Sequence, residues 1–188
     1  IFTWIDSDQD GSVASGETIN FDDSRFTGSS TAQIERYLGL NSSNLNLAPY
    51  IVNYIRGEDS AIAGWRSRTI DANGDGTKEV LRLGDIVHSS PLAVARPDED
   101  YSTRYGDTTY TAFRQYYRDR RVVIYAGAND GMLHAFNGGF YDEDSDGFLL
   151  QSDAGETAHP LGSEIWAYVP QNLLPHLRWL TQPEYSHV

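Results

Sequence analysis

The stretch RVVIYAGANDGMLHAFN, residues 121–137, decides the fold of this chain. Val122 to Tyr125 are β-branched or aromatic residues and predict a strand. Asn129-Asp130-Gly131 predicts a hairpin turn, since Asn and Gly accept positive φ at low cost, and residues 132–136 predict the returning strand. Both strands are apolar on both faces, which is typical of a sheet covered on its two sides, such as a blade of a β-propeller.

Two further strands are predicted around this hairpin, at residues 92–95 and at residues 163–169, where Pro170 ends the pattern. Four strands make one blade, whereas propellers close with about 4–8 blades. The predicted fold class is therefore mainly β: a partial β-propeller of about one four-stranded blade, preceded by a calcium-loop segment with short helices. The predicted domains are 1–83, the segment before the propeller, and 84–188, the first blade, which we expect to continue beyond 188.

Helices and insertions complete the predicted organisation. Apolar spacing and capping residues predict short helices at 32–38, 49–56, 109–117 and 172–180. Residues 97–120 and 138–162 are predicted insertions between strands, with Gly138 and Gly139 in turns.

Composition excludes some classes of function. The chain has 188 residues and a net charge of −13, so the basic stripe of a nucleic-acid-binding protein is missing, and no nucleic-acid partner is expected. It has no cysteine, which excludes a disulfide framework and a thiolate metal site. No apolar run approaches the ~18 residues of a membrane span, so none is predicted. Because residue 1 is Ile, we expect an internal piece of a longer secreted protein.

Residues 6–17 match the twelve-residue calcium-loop pattern D-x-[DN]-x-[DN]-G-x5-E in full. Calcium takes about six to eight hard oxygen ligands, and Gly11 permits the sharp turn that this loop needs. The predicted ligands are the carboxylates of Asp6, Asp8, Asp10 and Glu17 and the backbone carbonyl of Ser12. The alternative is an acidic, solvated turn without an ion.

Two more segments begin in the same way, and for both an acidic turn without an ion remains open. Arg82 stands where the second loop would need its last carboxylate, so Glu79 is predicted to close a shorter loop there. The predicted ligands of the second loop are Asp71, Asn73, Asp75, Thr77 and Glu79. Those of the third loop are Asp142, Asp144, Asp146, Phe148 and Asp153.

Several motifs in register resemble one known family. GANDGMLHAF at 127–136, EIWAYVPQNLLPHLRWL at 164–180 and RLGDIVHSSP at 82–91 are similar to the C-terminal domain of the PilY/PilC family of type IV pilus tip proteins. The resemblance covers residues 50–188 well and 1–49 more loosely. It implies a propeller of the quinoprotein-dehydrogenase type that lies outside the cell, at the pilus tip or cell surface, after export through the periplasm.

The resemblance implies pilus biogenesis, surface adhesion and calcium-dependent control rather than catalysis. The implied partners are minor pilins and other tip components, with host cells or abiotic surfaces as adhesion targets. Two alternatives remain: a quinoprotein-like dehydrogenase, and a structural calcium-binding module of a large surface protein. The residues themselves favour a non-enzyme, because His88 and His134 are predicted in strands as packing residues and no nucleophile motif is present.

Overall fold

The protein is mainly β, with a few short helices, in a computed structural model that describes residues 1–22, 24–27, 36–59, 62–150 and 159–185. The strands of this described part are β1 (Phe2–Trp4), β2 (Thr18–Asn20), β3 (Thr69–Ile70), β4 (Glu79–Val80), β5 (Leu92–Val94), β6 (Val122–Gly127), β7 (Leu133–Asp142), β8 (Gly147–Leu149) and β9 (Glu164–Tyr168). The helices are α1 (Ser24–Thr27), α2 (Ala48–Ile55), α3 (Tyr101–Tyr105) and α4 (Thr108–Tyr116), with 3₁₀ helices at Leu45–Leu47 and Gln171–Thr181.

The chain packs into two units whose segments alternate along the sequence. The first unit comprises Ile1–Ser89, Gly127–Leu133 and Ala167–Val188, and the second comprises Ser90–Ala126 and His134–Trp166. These units are defined by packing within this chain. The division into domains 1–83 and 84–188 concerns a larger protein and stays a prediction.

The core of the first unit forms around α2. The helix begins with Pro49 in its first turn, where a missing N–H costs nothing, and it buries Ile51, Val52 and Ile55. The predicted helix at 49–56 is confirmed, although Tyr50, which the sequence pattern places on the buried face, is 52% exposed. Burying a Leu, Ile or Phe side chain stabilises a fold by about 1.5–3 kcal/mol, so this cluster supplies much of the unit's stability.

The segment after β9 is a 3₁₀ helix, Gln171–Thr181, where a helix at 172–180 was predicted. Pro175 lies inside it, and a proline ring clashes with the carbonyl four residues earlier in an α-helix, which disfavours the α form. Leu174, Leu177 and Leu180 are buried at a spacing of three residues. That spacing places them on one face, because a 3₁₀ helix has three residues per turn.

In the second unit, the four predicted strands lie side by side in chain order. β5 pairs antiparallel with β6, with Leu92 opposite Tyr125, and the order continues through β7 to β9. The four predicted strands are therefore confirmed. Membership of a propeller stays a prediction, because no closed ring of blades is present among the described residues.

The strand β7 is longer than predicted. It continues through Gly138 and Gly139 to Asp142 and pairs with β8, with Tyr141 opposite Phe148. The prediction that 138–162 begins as an insertion with Gly138 and Gly139 in turns is wrong. A Cβ on Gly138 would lie 2.9 Å from Cγ1 of Val122, so glycine serves the close approach of β6 rather than a turn.

The predicted helix at 109–117 is confirmed as α4, whereas α3 was not predicted. Asp107 caps α4 by accepting hydrogen bonds from the backbone N–H groups of Thr109 (2.9 Å) and Tyr110 (3.2 Å). Of the predicted helix at 32–38, residues 36–38 are helical, and the rest lies outside the described residues. Across the described ranges, no helix has both the length and the apolarity needed to cross a bilayer.

Gly84→Ala should destabilise the first unit by about 1–3 kcal/mol, the usual cost of overpacking. A Cβ at Gly84 would lie 2.5 Å from the backbone nitrogen of Asp130, and the Gly84 N–H donates to Oδ2 of Asp130 at 2.8 Å. The urea midpoint would measure the loss. Gly147→Ala is the matched control, because its Cβ would meet nothing closer than 3.6 Å. Equal midpoints for the two variants would contradict the prediction.

Candidate metal centres

The first acidic loop, residues 6–17, is held at both ends by a hairpin. β1 and β2 pair antiparallel, with Trp4 opposite Thr18, and the Ile5 N–H donates to the Glu17 carbonyl at 2.9 Å. Sequence analysis did not predict these strands, since each has only three residues. Because its two ends are paired, the loop is held in place by the β1–β2 hairpin.

Three aspartates of this loop converge. Asp6, Asp8 and Asp10 each place one carboxylate oxygen within 4.8 Å of the other two, with Asp6 half-buried and the others exposed. Three negative charges at this distance repel one another, and a divalent cation would remove that repulsion. The structure thus brings together the three aspartates that the sequence predicts at positions 1, 3 and 5.

Backbone amides set the path of this loop. The Gly11 N–H donates to Asp6 Oδ2 at 3.0 Å, the Asp10 N–H to Asp8 Oδ1 at 3.3 Å, and the Ser12 N–H to Asp10 Oδ1 at 2.6 Å. Gln9 and Gly11, at positions 4 and 6, have positive φ values of 62° and 75°. Glycine is the residue that adopts such φ without strain, which explains the pattern's Gly at position 6.

The second loop repeats this geometry position by position. The Gly76 N–H donates to Asp71 Oδ2 at 3.0 Å, the Asp75 N–H to Asn73 Oδ1 at 3.1 Å, and the Thr77 N–H to Asp75 Oδ1 at 2.7 Å. Its positions 4 and 6, which are both glycines, have φ values of 75° and 86°. Two segments far apart in the chain thus adopt one loop conformation.

The hydrogen bonds of the second loop also affect its charge. The Thr77 backbone N–H, the Thr77 side chain and the Asn73 side chain lower the pKa of Asp75, which keeps this carboxylate ionised. The ends of the loop are joined by the antiparallel pair of β3 and β4, where Ile70 lies opposite the exposed Glu79. The donor set is again made of hard oxygens, which suits calcium.

Glu17, the predicted last ligand of the first loop, has a different environment from the three aspartates and is not a member of their group. Its Oε1 accepts hydrogen bonds from the N–H (2.8 Å) and hydroxyl (2.9 Å) of Ser7, and its Oε2 accepts from the Ala14 N–H (2.9 Å) and Trp4 Nε1 (3.3 Å). The side chain is 4% exposed. Its role as a ligand stays a prediction, and its role in the structure is to brace the loop.

These hydrogen bonds stabilise the charged form of Glu17. The backbone N–H groups of Ala14 and Ser7, in that order, lower the pKa of Glu17 to about 2, and burial opposes them only partly. Trp4 and Ser7 are functional supports that sequence analysis did not identify. A tryptophan just before the loop and a serine at its second position carry no pattern that would have revealed this.

The third loop has another conformation. Asp142 and Gly147 pair across the β7–β8 hairpin, and the Ser145 N–H donates to Asp142 Oδ2 at 3.0 Å. The Tyr141 hydroxyl donates to Asp146 at 2.8 Å, and Phe148 is exposed within β8. The hydrogen bonds of the first two loops are not repeated among these residues. Asp153 lies outside the described residues, and calcium binding by Asp142, Asp144 and Asp146 stays a prediction without this support.

Comparisons with known proteins point to one group. A "Type IV pilus biogenesis factor PilY1 homolog" of Xylella fastidiosa is 34% identical over 141 residues, which cover 72% of this chain and 9% of the relative. A second Xylella protein of that name is 31% identical over 73% of the chain and 8% of the relative. The "Type IV pilus biogenesis factor PilY1" of Pseudomonas aeruginosa is 33% identical over 54% of the chain and 10% of the relative.

The chain therefore spans about a tenth of the length of the curated relatives it matches. No protein-family model and no solved structure matches it.

Proposed function

This chain belongs to the family of PilY1 type IV pilus biogenesis factors, and we propose that it is part of a protein that acts in pilus biogenesis and surface adhesion without catalysing a reaction. The observation that carries the proposal is the identity of 31–34% over most of the chain to two PilY1 homologs of Xylella. The motifs at 82–91, 127–136 and 164–180 agree with it. The location that follows is the cell surface or the pilus, with the tip as the specific site.

Calcium is the proposed cofactor. The support is geometric: the two loops share three hydrogen bonds from backbone amides to side-chain oxygens at equivalent positions, and in the first loop three aspartate oxygens converge within 4.8 Å. Asp6, Asp8 and Asp10 would hold the ion in the first loop, and Asp71, Asn73 and Asp75 in the second. A bound calcium neutralises clustered carboxylates and rigidifies the loop that carries them.

The proposed partners are pilins and other pilus components, and the proposed targets of adhesion are host or abiotic surfaces. Because PilY1 relatives are named for pilus biogenesis, a direct contact with pilus subunits is the simplest physical route to that role. The acidic charge of −13 favours partners with basic patches.

Removing this segment from the full-length protein should abolish surface pili. In a bacterium that encodes the protein, the chromosomal gene would be replaced by one that lacks residues 1–188 of this chain, and pilin would be quantified in the sheared surface fraction and in whole cells. We expect surface pilin to fall while cellular pilin is unchanged. A copy of the intact gene should restore it, and so should a copy with Asp22→Asn, an exposed carboxylate outside the loops. Normal surface pilin in the deletion strain would contradict the proposal.

An enzymatic role has a separate test. The purified full-length protein would be loaded with a quinone cofactor and assayed with alcohols and sugars. We expect no turnover. Quinone-dependent oxidation that disappears when the quinone is removed would establish the dehydrogenase alternative instead.

A further inference from the structure

A pocket of about 150 Å³ in the first unit is lined by none of the predicted calcium ligands. A pocket of this volume takes a compact group rather than an extended chain. Three arginines, Arg66, Arg68 and Arg82, line it, and we call it the arginine pocket. Three guanidinium groups around one concave site are unexpected in a chain whose net charge is −13.

Carbonyl groups and aromatic rings hold these arginines in place. Nη2 of Arg68 donates to the carbonyls of Tyr54 (2.8 Å) and Glu58 (2.7 Å), and its guanidinium carbon lies 3.8 Å from the centre of the Tyr54 ring. Nε of Arg82 donates to the Gly57 carbonyl at 2.9 Å, and the Arg66 guanidinium lies over the Tyr185 ring at 5.6 Å.

Within the described part of the chain, none of these contacts is with a carboxylate. Two acidic residues, Asp85 and Asp130, also line the pocket. The Asp130 carboxylate accepts hydrogen bonds from the N–H groups of Gly84 (2.8 Å) and Met132 (3.1 Å). The arginine charges are thus held in place without a direct ion pair. Burial lowers the pKa of Arg68, Tyr54 and Asp59 oppose this shift, and the like charges of Arg82 and Arg66 add to it.

Two buried donors at the pocket lack partners. Among the described residues, neither the Tyr54 hydroxyl nor Nε of Arg68 has a hydrogen-bond acceptor. Tyr54 is 1% exposed, and burial raises its pKa, so its hydroxyl is a proton donor at neutral pH. A buried donor without an acceptor destabilises the fold, and native proteins contain few of them. A ligand acceptor that reached either donor would recover this cost.

Most of the rest of the wall is apolar. Side chains from four separate parts of the first unit contribute to it: Ile55, Ile70, Leu81, Leu83, Met132 and Leu180. Such a wall favours a ligand with a hydrocarbon part, and the two aspartates disfavour a multiply charged one such as phosphate. Arginine pairs with carboxylates through two parallel hydrogen bonds.

We propose that the arginine pocket binds a monocarboxylate on a short apolar chain, with the carboxylate between Arg66, Arg82 and the Tyr54 hydroxyl. The ligand is a free small acid or the terminal carboxylate of a peptide with an apolar last residue. These two sources present the same chemistry to the pocket.

The test uses the 188-residue chain and isothermal titration calorimetry with pentanoate, N-acetyl-leucine, pentanol, pentylammonium and inorganic phosphate. Pentanoate or N-acetyl-leucine should bind saturably, and the stronger of the two identifies the free acid or the peptide terminus as the source. Arg66→Gln and Arg82→Gln should each weaken that binding about tenfold or more. Arg104→Gln, an exposed arginine outside the pocket, should leave it unchanged.

The Tyr54→Phe variant distinguishes an effect on ligand binding from an effect on the stability of the fold. Because the hydroxyl has no acceptor within the described residues, its removal should leave the melting temperature without ligand unchanged or raised, yet weaken carboxylate binding. Binding of pentanol as strong as that of pentanoate would overturn the charge argument, and binding of phosphate as strong would overturn the choice of a monocarboxylate. Absence of carboxylate binding, or full binding by the Tyr54→Phe and Arg66→Gln variants, would overturn the proposal.

Discussion

Calcium at 10 mM should raise the melting temperature of this chain by about 3 to 10 °C. In the Asp8→Asn variant the rise should be smaller and should equal the part that comes from calcium bound to the second loop. An ion bound with a dissociation constant of about 10⁻⁴–10⁻³ M, as in extracellular modules, stabilises the folded state by about 1.4–2.7 kcal/mol at this concentration. For a chain of this size each kcal/mol corresponds to about 2–4 °C. Differential scanning calorimetry with calcium and with chelator measures the difference.

Asp8 is the best position for this substitution. Among the described residues, its carboxylate accepts one hydrogen bond, from the Asp10 N–H at 3.3 Å, whereas Asp6 accepts from both Asp10 and Gly11. Asn can keep that acceptor while it removes one of three converging charges. In chelator the variant should therefore be as stable as the parent or slightly more stable, because repulsion within the group is reduced.

The matched control is Asp22→Asn, an exposed carboxylate outside the loop. It should keep the full calcium response. The calcium proposal would be rejected if chelator left the melting curve of the parent chain unchanged, or if the Asp8 and Asp22 variants responded alike.

The central hairpin could be predicted from local sequence, because its signals are local. The run Val122 to Tyr125 forms β6, and Gly131 in the turn has a φ of 85°, which only glycine adopts at low cost. The continuation of β7 past Phe136 could not be predicted in this way. It depends on the contact of Gly138 with Val122, sixteen positions earlier, and a pair of glycines viewed locally indicates a turn.

The acidic loops show the same limit. Their shared pattern predicts one conformation, and the first two loops adopt it because Gly11 and Gly76 take positive φ at position 6. The third has Gly147 at that position, but the pairing of β7 with β8 places it opposite Asp142 as part of a hairpin. Strand pairing therefore determines this loop, and pairing is a tertiary property that a twelve-residue pattern does not contain.

The arginine pocket could not be predicted from any motif. Its three arginines, Arg66, Arg68 and Arg82, lie near an Asp-rich loop in the sequence. This position suggests exposed side chains that balance the charge of the aspartates. The remaining wall comes from residues as distant as Leu180. Only the fold shows that these side chains share a cavity, and only the hydrogen bonds show that Tyr54 lacks an acceptor among the described residues.

Glu17→Gln should lower the stability of the chain at neutral pH in the presence of chelator, with a fall of several degrees in melting temperature. Four donors converge on the Glu17 carboxylate, from Ser7, Ala14 and Trp4. A glutamine would turn its NH₂ group toward one pair of these donors and leave that pair without an acceptor. Glu79→Gln, at an exposed glutamate that begins β4, is the control and should change little.

The dependence on pH gives the sharper test, because the sign follows from the pKa of Glu17. The carboxylate has a pKa of about 2 in the folded chain against 4.5 as the ordinary value. A group with a lowered folded pKa contributes stability that is fully present above the unfolded pKa and is lost as the pH falls from 4.5 toward 2. The free energy of unfolding of the parent chain should therefore exceed that of the Glu17→Gln variant most at pH 7. This difference should shrink between pH 4.5 and pH 2. Urea unfolding at pH 7 and pH 3 measures it, and a difference that stays constant or widens toward acid would show that the ionised carboxylate does not brace the loop.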